Sequence, residues 1–189
     1  ADEFLSEAEA VLGRLFLASY DLGQDDKADQ WCTEARRRFP SGLRSARCQL
    51  FLLTTKSRAP EIALAWRIAD SVAALAPPPQ RQYYRFNSDM LVAAVIARAS
   101  KTTPALADSA RRVAKRSEGD ATIDPNRDLS LYGAIAYTLL GDNAEAVRVL
   151  KLHFAVNPQK IAGYREDPGW QFRDLRSDPG FRQLVGTAK

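Results

Sequence analysis

Few side chains in this sequence could carry acid–base, nucleophilic or metal chemistry. His153 is its one imidazole. It falls where apolar periodicity predicts a helix-packing position, and the pattern brings no carboxylate or second ligand beside it. No catalytic residue and no metal site is assigned. Cys32 and Cys48 are the only cysteines, too few for a disulfide framework or a zinc site. They lie eight residues either side of Pro40, so a chain that doubles back there would bring them together. Two reduced thiols, buried as small hydrophobes, are the favoured reading. A disulfide is the alternative and would imply an oxidising compartment.

No glycine-rich loop for phosphate and no cofactor signature is present. The run Asp21 to Gly23 is a turn rather than a kinase metal-binding triplet, because the lysine and catalytic-loop signatures of a kinase are missing. Trp31, Trp66 and Trp170 are expected in the core. The run Tyr83 to Asn87 (YYRFN) combines aromatics with Arg, the residue types that dominate interface energetics. The sequence therefore points to a binding protein and not an enzyme.

The elements that would position these residues are helices. At 189 residues, with 46% apolar and 26% charged side chains, the chain suits one globular domain or a short stack of repeats. Apolar positions recur at helical intervals from Glu7 to Leu22 (Val11, Leu12, Leu15, Phe16, Tyr20), and Gly23 ends the run. Asp25 and Asp26 open a second helix with Ala28, Trp31, Cys32 and Ala35 on its apolar face, ending at Pro40. The same punctuation returns after Leu129: Gly141 ends a helix, Ala146, Val147, Leu150 and Phe154 line the next, and Pro158 closes it. Gly23, Ala28 and Pro40 are each 118 residues from Gly141, Ala146 and Pro158. Between them, Ser41 to Thr55, Pro60 to Ala76, Tyr83 to Ala99 and a segment opened by Pro104 also read as helices, and Gly119 to Asn126 as a loop.

These paired helices resemble tetratricopeptide repeats, whose unit of about 34 residues sets Gly, Ala, Ala and Pro at fixed offsets. The resemblance rests on Leu22, Gly23, Ala28, Ala35 and Pro40 in the first unit and on Tyr137, Leu140, Gly141, Ala146 and Pro158 in the fourth. It implies a right-handed, all-α solenoid of four hairpins spanning about 7–40, 41–79, 80–118 and 127–158, with a helical cap over 159–186, all in a single domain of residues 1–189. The cap holds two Asp-Pro-Gly-aromatic runs, from Asp167 and from Asp178, each read as an N-cap and first-turn proline. Its apolar residues are expected to cover the last hairpin. This tail is also similar to segments that close such arrays in large bacterial signalling proteins, including serine/threonine kinases and transcriptional regulators.

In such arrays the first helix of each pair lines a concave groove that takes a peptide or a partner protein. The resemblance therefore implies a binding surface of Leu17, Tyr20 and Asp21; Arg47 and Leu50; Tyr84, Arg85 and Asp89; and Asp128 and Leu131. The Lys and Asn set that clamps a C-terminal carboxylate in some members is missing. A protein or peptide partner is expected, or self-association into a homo-oligomer.

Charge argues against nucleic acid. A net charge of +4 comes from 27 cations against 23 anions, dispersed rather than gathered in a stripe. The two densest basic runs, Arg36 to Arg38 and Arg111 to Arg116, fall late in helices, where cations complement the helix dipole. No run reaches the roughly 18 to 20 apolar residues that cross a bilayer, and no secretory segment opens the chain. These features leave the compartment unassigned, with a soluble cytoplasmic chain somewhat favoured and an extracytoplasmic one favoured if Cys32 and Cys48 are bonded. The start at Ala1, without an initiator Met, is expected of a processed product or a piece of something longer.

Overall fold

The computed structural model describes residues 2–186, with side chains described for 7–116 and 118–186. Every regular element among them is helical: α1 (Asp2–Asp21), α2 (Asp25–Arg38), α3 (Leu43–Thr54), α4 (Ile62–Leu75), α5 (Arg81–Ala99), α6 (Ala107–Ala114), α7 (Asp128–Leu140), α8 (Asn143–Val156), α9 (Ile161–Glu166) and α10 (Pro179–Val185), with short 3-10 turns between several of them. Consecutive helices pack as α1 on α2, α3 on α4, α5 on α6 and α7 on α8. The first members of these pairs also touch in series, α1 to α3, α3 to α5 and α5 to α7.

Two of the turns are alike in detail. Gly23 and Gly141 hold φ of 67° and 82°, the left-handed region that a Cβ disfavours. In both, the glycine N–H bonds back three residues, to Tyr20 or Thr138. The next N–H bonds back five, to Ser19 or Tyr137. This pattern satisfies the last carbonyls of α1 and α7 and reverses the chain.

Other termini are closed by neighbouring helices. The Glu9 carboxylate on α1 accepts from the Arg44 and Ser45 amides at 2.9 and 3.3 Å, capping α3. Arg98 on α5 donates to the Leu53 carbonyl at the other end of α3, 2.7 Å, and to the Arg58 carbonyl. Asp124 accepts from the Asp128 and Leu129 amides and so starts α7.

Burial explains why α5 organises the core. Residues 87–97 are buried on every side, since α3, α4, α6 and α7 all pack on that helix. Ala93 and Ala94 of α5 share one buried cluster with Ala134 and Ala136 of α7, all four without exposed surface. Small residues there let the two backbones approach while larger neighbours interdigitate. Trp31 and Trp66 pack, partly buried, on the first of two core clusters.

Three findings differ from the sequence expectations. Cys32 and Cys48 form a disulfide with Cα atoms 5.5 Å apart, so the favoured reading of two reduced thiols is corrected: α2 and α3 double back at Pro40 and bring the pair together. Asp167 does not start an α-helix. Its carboxylate accepts from the Gly169 amide at 3.0 Å, and a 3-10 turn over Trp170–Leu175 follows. Asp178, by contrast, is the expected N-cap, accepting from Phe181 at 3.0 Å. Finally, the tail does more than cover α8. Phe172, Leu175, Phe181 and Val185 pack in one cluster with Val149, Leu150 and Phe154 of α8, but Trp170 and Gln171 reach back to α1.

Candidate functional site

The side of the molecule where α1, α3 and α7 face one another carries a chain of aromatic rings. Trp170 meets Tyr20 edge to face at 5.3 Å, Tyr20 meets Phe51 at 5.1 Å, and Phe51 meets Tyr132 at 5.8 Å between centroids. Each spacing is typical of a stabilising edge-to-face pair. The Tyr20 hydroxyl hydrogen-bonds the Thr54 hydroxyl at 2.7 Å, and burial drives its pKa far above the phenol range. Phe51 and Tyr132 of this aromatic chain also line a cleft of about 470 Å³ between α1, α7 and the tail, whose other lining residues include Leu17, Asp21, Leu131, Lys160 and Tyr164.

Arg47 on α3 stands at the centre of that face. Its guanidinium lies over the Phe51 and Tyr84 rings, 5.4 and 5.2 Å from their centroids, in cation–π geometry. One Nη donates to Asn87 Oδ1 on α5 at 2.7 Å. The Tyr132 hydroxyl is raised by burial, and Arg47 beside it partly offsets that rise. Three helices are thereby joined through one cation.

The ten residues expected to form the binding surface divide into two groups. Leu17, Asp21 and Leu131 edge the cleft, and Arg47 and Tyr84 meet in the cation–π contact. Asp128 is half-buried near Lys160, at 3.9 Å. Leu50 has no exposed surface and Tyr20 almost none, so neither offers its side chain to a partner. Asp89 is likewise buried, paired with Arg116 at 2.6 Å. Burial raises the Asp89 carboxyl and Arg116 pulls it back. Arg85 is exposed and sits 3.8 Å from Asp70 of α4, away from the cleft. Phe51, Tyr132, Lys160 and Tyr164 are cleft residues that the sequence pattern did not single out. For Tyr132, the signal available was an aromatic next to Leu131 on the same helix.

Polar groups around the cleft are structural in their commitments. Asp21 accepts from the Gln171 amide at 3.2 Å; burial raises its carboxyl and that hydrogen bond lowers it. His153 has no exposed surface. Its Nδ1 lies 2.9 Å from the Arg127 carbonyl and its Nε2 3.4 Å from the Lys160 ammonium. The tautomer that suits both is neutral, with Nδ1–H donating to the carbonyl and Nε2 accepting. Burial lowers the imidazole pKa accordingly. Asn157 adds a hydrogen bond to the Asn126 carbonyl at 2.8 Å. Together they hold Arg127, the one described non-glycine residue at positive φ (53°). Both imidazole nitrogens are thus engaged within the fold.

Among the described residues no group of three or more His, Cys, Asp or Glu is placed to hold a metal ion, and no helix is long and apolar enough to cross a membrane. In comparisons with protein-family models, curated proteins and solved structures, nothing matched this chain.

Proposed function

We propose that the chain is a non-enzymatic interaction module, a solenoid of four tetratricopeptide-like hairpins that binds a peptide or partner protein in the cleft between α1, α3 and α7. The observation that carries this reading is the cleft itself: Phe51, Tyr132 and Tyr164 line it, Leu17 and Leu131 stand at its edges, and Asp21 and Lys160 add one charge of each sign to its lining. Apolar floors with a few placed polar groups are the usual composition of binding sites. Selection of displayed peptides on the immobilised protein tests it. Enriched peptides should lose binding to a Leu17→Asp variant and keep it toward Arg36→Glu on α2. Failure to enrich, or equal binding to Leu17→Asp, would overturn the reading.

Self-association within a larger signalling protein is a second reading, favoured by the outer face of α1. Val11 and Leu15 are 50% and 38% exposed and, with exposed Ala18, recur at helical spacing on one stripe. Light scattering over a concentration series, on the wild type and on Val11→Glu/Leu15→Glu, decides it. A mass that stays monomeric throughout removes it.

A further inference from the structure

Beyond the cleft, α1 and α3 enclose a smaller pocket of about 160 Å³. It adjoins the cleft, because Leu17 and Phe51 line both. Its walls are apolar, and its polar lining is three arginines, Arg14, Arg44 and Arg47. Elsewhere in the chain, Arg37, Arg111, Arg116 and Arg148 each hold a carboxylate. These three hold none among the described residues. The positions three and four residues away from them within α1 and α3 contain no acidic residue, so no helical neighbour can neutralise them. The Glu9 carboxylate, on α1 facing the start of α3, is committed to the Arg44 and Ser45 amides.

Local structure brings these cations together. A Cβ at Gly13 would come within 3.0 Å of Arg44 Cδ, so the missing side chain, costly inside a helix, gives the Arg44 stem its path across α1. Arg47 is fixed by Asn87 and by the two rings, while its Nε is buried and has no hydrogen-bond partner among the described residues. Arg14 and Arg44 are exposed and Arg47 is half-buried; three cations lining one pocket favour an anion over a cation as its occupant.

We infer that this pocket takes a carboxylate of an acidic peptide segment, with the next apolar side chain passing over Leu17 and Phe51 into the cleft. The inference rests on the groove reading above and names the chemistry of its ligand. Guanidinium pairs match carboxylates in plane and in hydrogen-bond number. An extended polyanion is disfavoured, because the cleft beyond Phe51 presents Asp21 and Asp167.

Fluorescence anisotropy tests the pocket with a labelled peptide in which two glutamates precede a leucine, and with its two-glutamine counterpart. The glutamate peptide should bind about tenfold or more tightly than the glutamine one, and the gap should shrink at high salt. Arg14→Glu/Arg44→Glu should abolish the preference. Both side chains are exposed, so helical content by circular dichroism should hold, and the charge-matched control Arg36→Glu/Arg112→Glu should bind like the wild type. Equal binding of both peptides, sensitive to Leu17→Asp, would overturn the anion pocket and leave the groove reading standing. Absence of any binding overturns the pocket, and with a failed peptide selection it removes the groove as well. Displacement of the acidic peptide by a 20-nucleotide oligonucleotide bound through the same arginines would also overturn it.

Discussion

The Trp170 indole N–H donates to the Tyr20 carbonyl at 2.6 Å, across 150 residues of sequence. The tail thus clasps the end of α1, and Gln171 repeats the link one residue on. The Trp170 ring also packs beside Gly23, 3.5 Å from where a Cβ would stand, which is ordinary contact distance; glycine is required there by its φ of 67°.

Replacing this indole by Trp170→Ala should cost about 2 to 4 kcal/mol, somewhat below a fully buried tryptophan because the residue is only partly covered. Hydrogen exchange should quicken at the last turn of α1 as well as in the tail. Protection at residues 18–24 that is unchanged from wild type would mean that the clasp contributes nothing there.

Acid should weaken the fold through His153. Its folded-state pKa is lowered by burial, so its contribution is complete above the unfolded value of about 6.5 and is lost as pH falls toward the folded value, at a slope of up to about 1.4 kcal/mol per pH unit. Asp128, raised by burial, acts in the opposite sense, losing its contribution as pH rises through its folded value. Urea unfolding at pH 7.5 and 5.0 on wild type and His153→Gln isolates the imidazole. The variant should be less stable at pH 7.5 and show a smaller loss on acidification; parallel losses would contradict the neutral assignment.

Reduction should destabilise the first two hairpins. The Cys32–Cys48 bond closes a loop with a sequence separation of 16, for which chain entropy gives roughly 3 kcal/mol. Cys32→Ser/Cys48→Ser, measured beside the oxidised wild type in urea, should lose about that amount. Equal stability would show that the bond is not formed in solution.

Ala146 is completely buried in α8 beside Leu150 and Phe154. Ala146→Glu would leave a carboxylate without a partner there and should cost several kcal/mol, on the order of half the stability of a domain this size. An unchanged melting curve would refute the packing at that position.

The helices were legible because their punctuation is local. Gly23 and Gly141 announce turns that few other residues tolerate, and Asp178 with Pro179 announces a helix start. Burial around α3 and α5 was not legible. Residues 50–55 and 87–97 are covered on all sides, so neither segment has a polar face to fix its register, and the repeat pattern places Leu50 and Asp89 on the surface although both are buried. The clasp left no pattern at all, since a contact over 150 residues has no period. The pattern points to Arg47 but not to its company, because the contact with the Phe51 and Tyr84 rings depends on α3 and α5 meeting in space.

The clasp also bears on how the molecule comes apart. A row of hairpins with free ends loses order from whichever end is weaker, one unit at a time. Here the first helix and the tail secure each other, so α1 and the C-terminal segment should come loose together, once Trp170 is unseated. Denaturation should then be a single cooperative event, and loosening that one buckle should be enough to let the row fray from its ends.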